Sequence, residues 1–198
     1  MIDFSLTDEQ RMLVEMTHDF VEKEMLPHEE TLERTDALPP ELAESLKKRA
    51  IELGLHACNL PEEVGGGGLD AVSVMLIEKE LGRTSLALAE CAHRPLNILA
   101  SCEGEQVTQF LEPTVRGEKR DCIAMTEPGA GSDLRGMKCK AERVGDDWVI
   151  NGEKHFISQA SVSDYCVLFA ATGSEAFEDQ TVKAPRKYIS AFLVDFSD

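Results

Sequence analysis

The chain is short of positive charge. It sets 20 Lys and Arg against 37 Asp and Glu, for a formal net charge of −17, and no basic run reverses that sign locally. Such a field repels phosphate polymers and anionic leaflets, which argues against nucleic acid or a membrane surface as a partner. Long apolar stretches are missing too, and none approaches the roughly 20 residues that a membrane span needs. There is no CxxC pair and no Cys beside a His at metal-ligand spacing. Cys58, Cys91, Cys102, Cys122, Cys139 and Cys166 are scattered, so no metal site is expected. The start, MIDFSLTDEQ, lacks the basic and apolar regions of a secretory signal. Reduced cysteines acting as small hydrophobes in a cytoplasmic protein are therefore expected rather than a disulfide framework. What is present, 42% hydrophobic and 29% charged residues over 198 positions, is ordinary globular material, enough for one domain or two small ones.

The hydrophobic period changes once along the chain. Residues 1–120 read as a bundle of helices and residues 121–198 as a strand domain, an α+β arrangement. Thr7 with Gln10 has the form of a capping box, and behind it Leu13, Met16 and Phe20 share one face of a helix expected to end before Pro27. A second helix is predicted from Pro39 and Pro40 to a stop at Gly54, with Leu42, Leu46, Ile51 and Leu53 apolar. Four consecutive glycines, Gly65 to Gly68, suit neither helix nor strand, so the backbone there bends tightly or lets another backbone come close. A more uniformly apolar helix through Val72, Met75 and Leu76 follows, then helices over 86–99 and 105–111. From Asp121 onward, CIAMTE, KCKAERV, DWVING, HFISQ, DYCVLFAAT and YISAFLVDF read as short strands separated by turns such as GDDW and NGEK. An antiparallel meander or barrel is expected.

Two segments can carry chemistry. MTEPGAGSD, from Met125 to Asp133, comes straight off a strand. Pro128 fixes a turn, Gly129 and Gly131 allow backbone N–H groups to approach a ligand, and Thr126 and Ser132 supply hydroxyls. Such a turn can cradle an anion or the polar edge of a heterocycle. It has neither the Lys of a phosphate-binding P-loop nor the GxGxxG order of a dinucleotide fold. Glu127 is more readily a solvated or capping carboxylate than a general base. In NGEKHFIS, Asn151 and Gly152 suit a type I′ turn. Strand alternation would then put Phe156 and Ser158 on one face, where a ring and a hydroxyl can meet a flat cofactor, with His155 on the other.

Together these segments closely resemble the acyl-CoA dehydrogenase family. TDEQ at 7–10, LPEEVGGGGLD at 60–70, TEPGAGSD at 126–133, Trp148 followed by VINGEK, and KAP at 183–185 stand in the order of that family's equivalents. The resemblance implies an N-terminal helical bundle domain, an antiparallel β-barrel-like domain, and a C-terminal helical domain that would begin beyond residue 198. It implies FAD as cofactor, with Ala124, Met125 and Thr126 toward the pyrimidine end of the flavin. Ser132 would lie toward the pyrophosphate and the CoA-ester substrate, with Gly131 allowing close approach. Phe156, Ile157 and Ser158 would border the ring. Many members have Trp where this chain has Phe156 and Thr where it has Ser158, which implies a more open ring edge and a less rigid hydrogen bond near N5. The implied activity is α,β-dehydrogenation of an acyl-CoA thioester, with hydride passing to FAD and electrons onward to an electron-transfer flavoprotein. The implied assembly is a homo-oligomer. No catalytic residue is assigned within the chain: the family's carboxylate base comes from the C-terminal domain, so the isolated 198-residue chain is expected to be inactive and to hold FAD weakly. The alternatives are an acyl-CoA oxidase-type flavoenzyme and a non-catalytic assembly or binding subunit of the same fold.

Overall fold

A computed structural model describes residues 5–175 and 186–197. The KAP segment of the resemblance lies outside them. The chain divides into two compact units, Met1–Glu118 and Lys119–Asp198.

The first unit is helical. Helix α1, Asp8–Phe20, opens with the expected capping box: the Thr7 hydroxyl accepts from Gln10 N, and Gln10 Oε1 accepts from Thr7 N, both at 3.1 Å. Pro27 does not end the helical path. The chain widens into a π-turn segment over Val21–Met25, tightens over Leu26–His28, and resumes as α2, Glu29–Thr35. Proline has no N–H to give, and at the first turn of a new helical segment none is needed. Helix α3, Pro40–Glu52, starts at its proline and stops before Gly54, which has a φ of 69°. Helix α4, Ala71–Leu81, is capped by Asp70, whose carboxylate accepts from Val72 N and Ser73 N. Phe20, Val21, Met25, Leu46, Leu55, Ile77, Leu81 and Leu88 form the buried core between these elements.

The helix expected over 86–99 shrinks to α5, Leu86–Ala89, followed by extended chain and a 3₁₀ turn over Asn97–Ser101. Pro95 disfavours helical backbone before it, and the His93 carbonyl accepts instead from Ala57 N. The polar segment near residue 105 becomes a π-turn over Val107–Leu111 that runs into α6, Glu112–Val115.

The glycine loop meets both expectations placed on it. Gly65 and Gly68 have φ of 87° and 60°. A Cβ on Gly66 would lie 2.2 Å from the Leu60 carbonyl oxygen, and one on Gly67 2.9 Å from Cys58 Cα. The loop therefore lies flat on residues 58–60, with Gly68 N donating to Leu60 O and Leu69 N to Cys58 O.

Among the described residues, the second unit forms a five-stranded sheet: β1 (Asp121–Ala124), β2 (Lys140–Val144), β3 (Asp147–Asn151), β4 (Tyr165–Glu175) and β5 (Arg186–Asp195). Two antiparallel pairings are as expected. β2 and β3 pair from Lys140↔Asn151 to Val144↔Asp147, and β4 and β5 from Tyr165↔Asp195 to Glu175↔Arg186. The sheet is nevertheless mixed rather than antiparallel throughout. β1 lies parallel to β4, Asp121↔Tyr165 to Ala124↔Leu168, and β2 meets β4 in parallel at Lys140↔Ala171. Parallel pairing needs a long crossover, and residues 125–164, which contain the β2–β3 hairpin, supply it. That crossover carries both segments singled out above.

Candidate functional site

Strand β1 ends at Ala124, and the chain turns at once. Glu127 and Ala130 exchange backbone hydrogen bonds, Glu127 N to Ala130 O at 3.0 Å and Ala130 N to Glu127 O at 3.2 Å, closing a tight turn around Pro128 and Gly129. A Cβ built on Gly129 or Gly131 would meet nothing within 4 Å, so the backbone of this turn faces open space. Met125 and Thr126 are half-buried, while Gly131 and Ser132 are exposed. The Ala124 side chain is buried with Cys122 and Cys166.

The second segment differs from the strand expected of it. HFISQ is irregular chain running into a turn, and β3 ends at Asn151 without a type I′ hairpin after it. The glycine of the NG pair serves a close approach instead: a Cβ on Gly152 would lie 2.6 Å from Cys139 Cα. Phe156 has a φ of 56°, a left-handed conformation that is uncommon for an aromatic residue. Strand alternation therefore does not govern which way its neighbours face. Phe156 is 82% exposed, and the His155 ring stacks on it with centroids 3.7 Å apart and planes 18° from parallel. The expectation that His155 points away from Phe156 is corrected accordingly. Ile157 turns inward against the Cys122, Ala124 and Cys166 cluster, and Ser158 is exposed in the turn that follows.

The fold joins the two segments. His155 N donates to Thr126 O at 2.8 Å, and Lys154 Nζ donates to Met125 O and to Glu127 Oε1, each at 3.0 Å. Glu127 also accepts from Lys138 N at 2.6 Å and Cys139 N at 2.9 Å. Burial, the largest influence on this carboxyl, pushes its pKa up. The two backbone N–H groups and the Lys154 ammonium more than offset it, and the net pKa lies below the ordinary value. A carboxylate so engaged is a buried anchor for two backbone amides and a lysine, not the solvated or capping carboxylate that the sequence reading expected. Lys154 escaped that reading because its partners stand 27 and 29 positions away and no local pattern marks the pair.

Five of the six cysteines are buried and all are free thiols. Burial, with the nearby Cys122, pushes the Cys166 thiol up to about 11. Among the described residues, no group of three or more His, Cys, Asp or Glu is placed to hold a metal ion, and no helix is long and apolar enough to cross a membrane.

Against known families, residues 7–118 match the acyl-CoA dehydrogenase N-terminal domain and residues 122–198 the acyl-CoA dehydrogenase middle domain. A probable acyl-CoA dehydrogenase, YngJ of Bacillus subtilis, is 36% identical over 98% of this chain and 49% of its own length. The caffeyl-CoA reductase-Etf complex subunit CarC of Acetobacterium woodii is 30% identical over 96% of this chain and 48% of its own. The crystal structure of a glutaryl-CoA dehydrogenase from Mycobacterium smegmatis in complex with FADH2 superposes with a TM-score of 0.76 at 26% identity, over 97% of this chain and 46% of that one. The chain thus spans about half the length of the curated relatives it matches.

Proposed function

Because the chain belongs to the acyl-CoA dehydrogenase family, we propose that it forms the helical and flavin-facing portions of an FAD-dependent acyl-CoA dehydrogenase. One observation carries the reading: two segments separated in sequence are joined by three hydrogen bonds, one of them next to an open backbone turn, and the second carries an exposed aromatic ring with His155 stacked on one face. An open turn offering N–H groups and a hydroxyl next to an exposed ring suits a flat, polar-edged heterocycle. A relative of known structure is described in complex with FADH2.

Ala124, Met125 and Thr126 would hold the pyrimidine end of the flavin through backbone groups and the Thr126 hydroxyl. Ala124 and Ile157 would contribute through their backbone, because their side chains point into the core. Ser132 would lie toward the pyrophosphate and on the side of the acyl-CoA substrate, with Gly131 allowing close approach. Phe156 and Ser158 would border the ring. Bound FAD supplies the hydride acceptor for oxidation of an acyl-CoA thioester. Among these residues none is assigned as the base that takes the α proton, since Glu127 is bound on both oxygens. An electron-transfer flavoprotein is the proposed acceptor, supported by the Etf complex to which one relative belongs.

The test is to titrate the protein with FAD while following flavin fluorescence, then reduce the bound flavin with dithionite and admit air. Saturable quenching on binding agrees with the proposal. An unchanged fluorescence titration would remove it, and rapid reoxidation by air would point to an oxidase.

A further inference from the structure

The Glu127–Lys154 pair has a geometry that the flavin reading leaves unused. Both side chains are nearly excluded from water, 4% and 8% exposed, and burying two charges is costly unless their polar atoms are matched. Here the matching is specific. Glu127 takes the N–H groups of Lys138 and Cys139 as well as the ammonium. Lys154 gives a further hydrogen bond to the carbonyl of Met125. That carbonyl shares one planar peptide unit with the Thr126 N–H. A carbonyl that accepts from an ammonium polarises its own peptide, which makes the N–H on the other side a stronger donor. The next carbonyl, Thr126 O, accepts from His155 N. Thr126 is thus gripped on both flanks by consecutive residues of the second segment.

We infer that Lys154 is a positioning residue for the flavin: it orients and polarises the Met125–Thr126 peptide so that the Thr126 N–H and hydroxyl are presented to the ring, with Glu127 as its buried counter-charge. The inference rests on the flavin reading above and deepens it. It also accounts for the left-handed Phe156. The His155–Thr126 bond fixes the chain just ahead of Phe156, and the turn from Ile157 to Ala160 fixes it just behind, so the strain is held from both ends.

A purely structural pair and a positioning lysine respond differently to substitution. Lys154→Met alone leaves a buried carboxylate without its counter-ion and destabilises the protein. Combining it with Glu127→Gln removes both charges at similar volume and recovers part of the lost stability, since the single amide oxygen of Gln can accept from only one of Lys138 N and Cys139 N. In that double variant the unfolding midpoint returns toward the parent value. FAD nonetheless dissociates roughly tenfold more readily, the loss expected for a hydrogen bond to a charged group. The flavin absorption bands shift, and hydrogen exchange at the His155 amide rises in the protein without FAD. Lys154→Arg, which keeps a cationic donor, restores affinity and spectrum. A double variant with the parent's FAD affinity and spectrum would overturn the positioning role, and so would unchanged exchange at His155. Failure of the unsubstituted protein to take up FAD would instead overturn the functional reading, and the exchange result would still decide whether Lys154 holds the peptide.

Discussion

Glu127 shows why the environment of a residue matters more than its type. Beside a turn proline it looks like a surface carboxylate, yet it is almost fully buried and holds the amides of Lys138 and Cys139 together with Lys154. Glu127→Ala is expected to cost about 3 kcal/mol, the scale for breaking a buried pair from one side, measured by urea unfolding. Because the folded pKa lies below the unfolded value, this stabilisation is full above the ordinary carboxylate range. It is lost as pH falls through the folded value. Unfolding midpoints of the parent should therefore drop on acidification, with a smaller drop in Glu127→Gln. The thiols follow the same logic. With its pKa near 11, Cys166 holds almost no thiolate at neutral pH and should resist alkylation in the native state. Half-buried Cys102 should react before it, as a timed iodoacetamide reaction with peptide mapping would reveal.

Local signals were legible where an element's boundary is set by its own residues. The capping box of Thr7 and Gln10 is present as read, and Thr7→Ala should lower stability by about 1 kcal/mol in thermal unfolding. The four glycines likewise announced a loop in close contact. Gly66→Ala drives a methyl against the Leu60 carbonyl and should cost about 3 kcal/mol. Local reading failed where distant backbone competes for the same groups. The stretch 86–99 has the apolar content of a helix, but Pro95 and the bond from Ala57 N to His93 O draw the chain out of it. HFISQ has strand composition, but its backbone groups go to Thr126 and to a turn rather than to a neighbouring strand. With the alternation lost, the shared face of Phe156 and Ser158 was lost too.

At the scale of the whole chain, the buried carboxylate of the candidate site, Glu127, is already occupied by three donors, and the chain spans about half the length of the relatives it matches. The 198-residue chain alone should give no oxidation of acyl-CoA esters with an artificial electron acceptor, and turnover at a rate typical of those relatives would refute this. The α+β class, the change of period near residue 120, the glycine loop and the family were all readable from order and composition, because each depends on neighbours within a few residues or on motifs that keep their spacing. The parallel β1–β4 pairing, the left-handed Phe156, the use of Gly152 against Cys139 and the Lys154–Glu127–Met125 contact were decided by the tertiary fold alone. Each joins groups separated by a dozen residues or more, or answers to such a join, and a buried polar atom takes whichever partner the packed chain brings within reach.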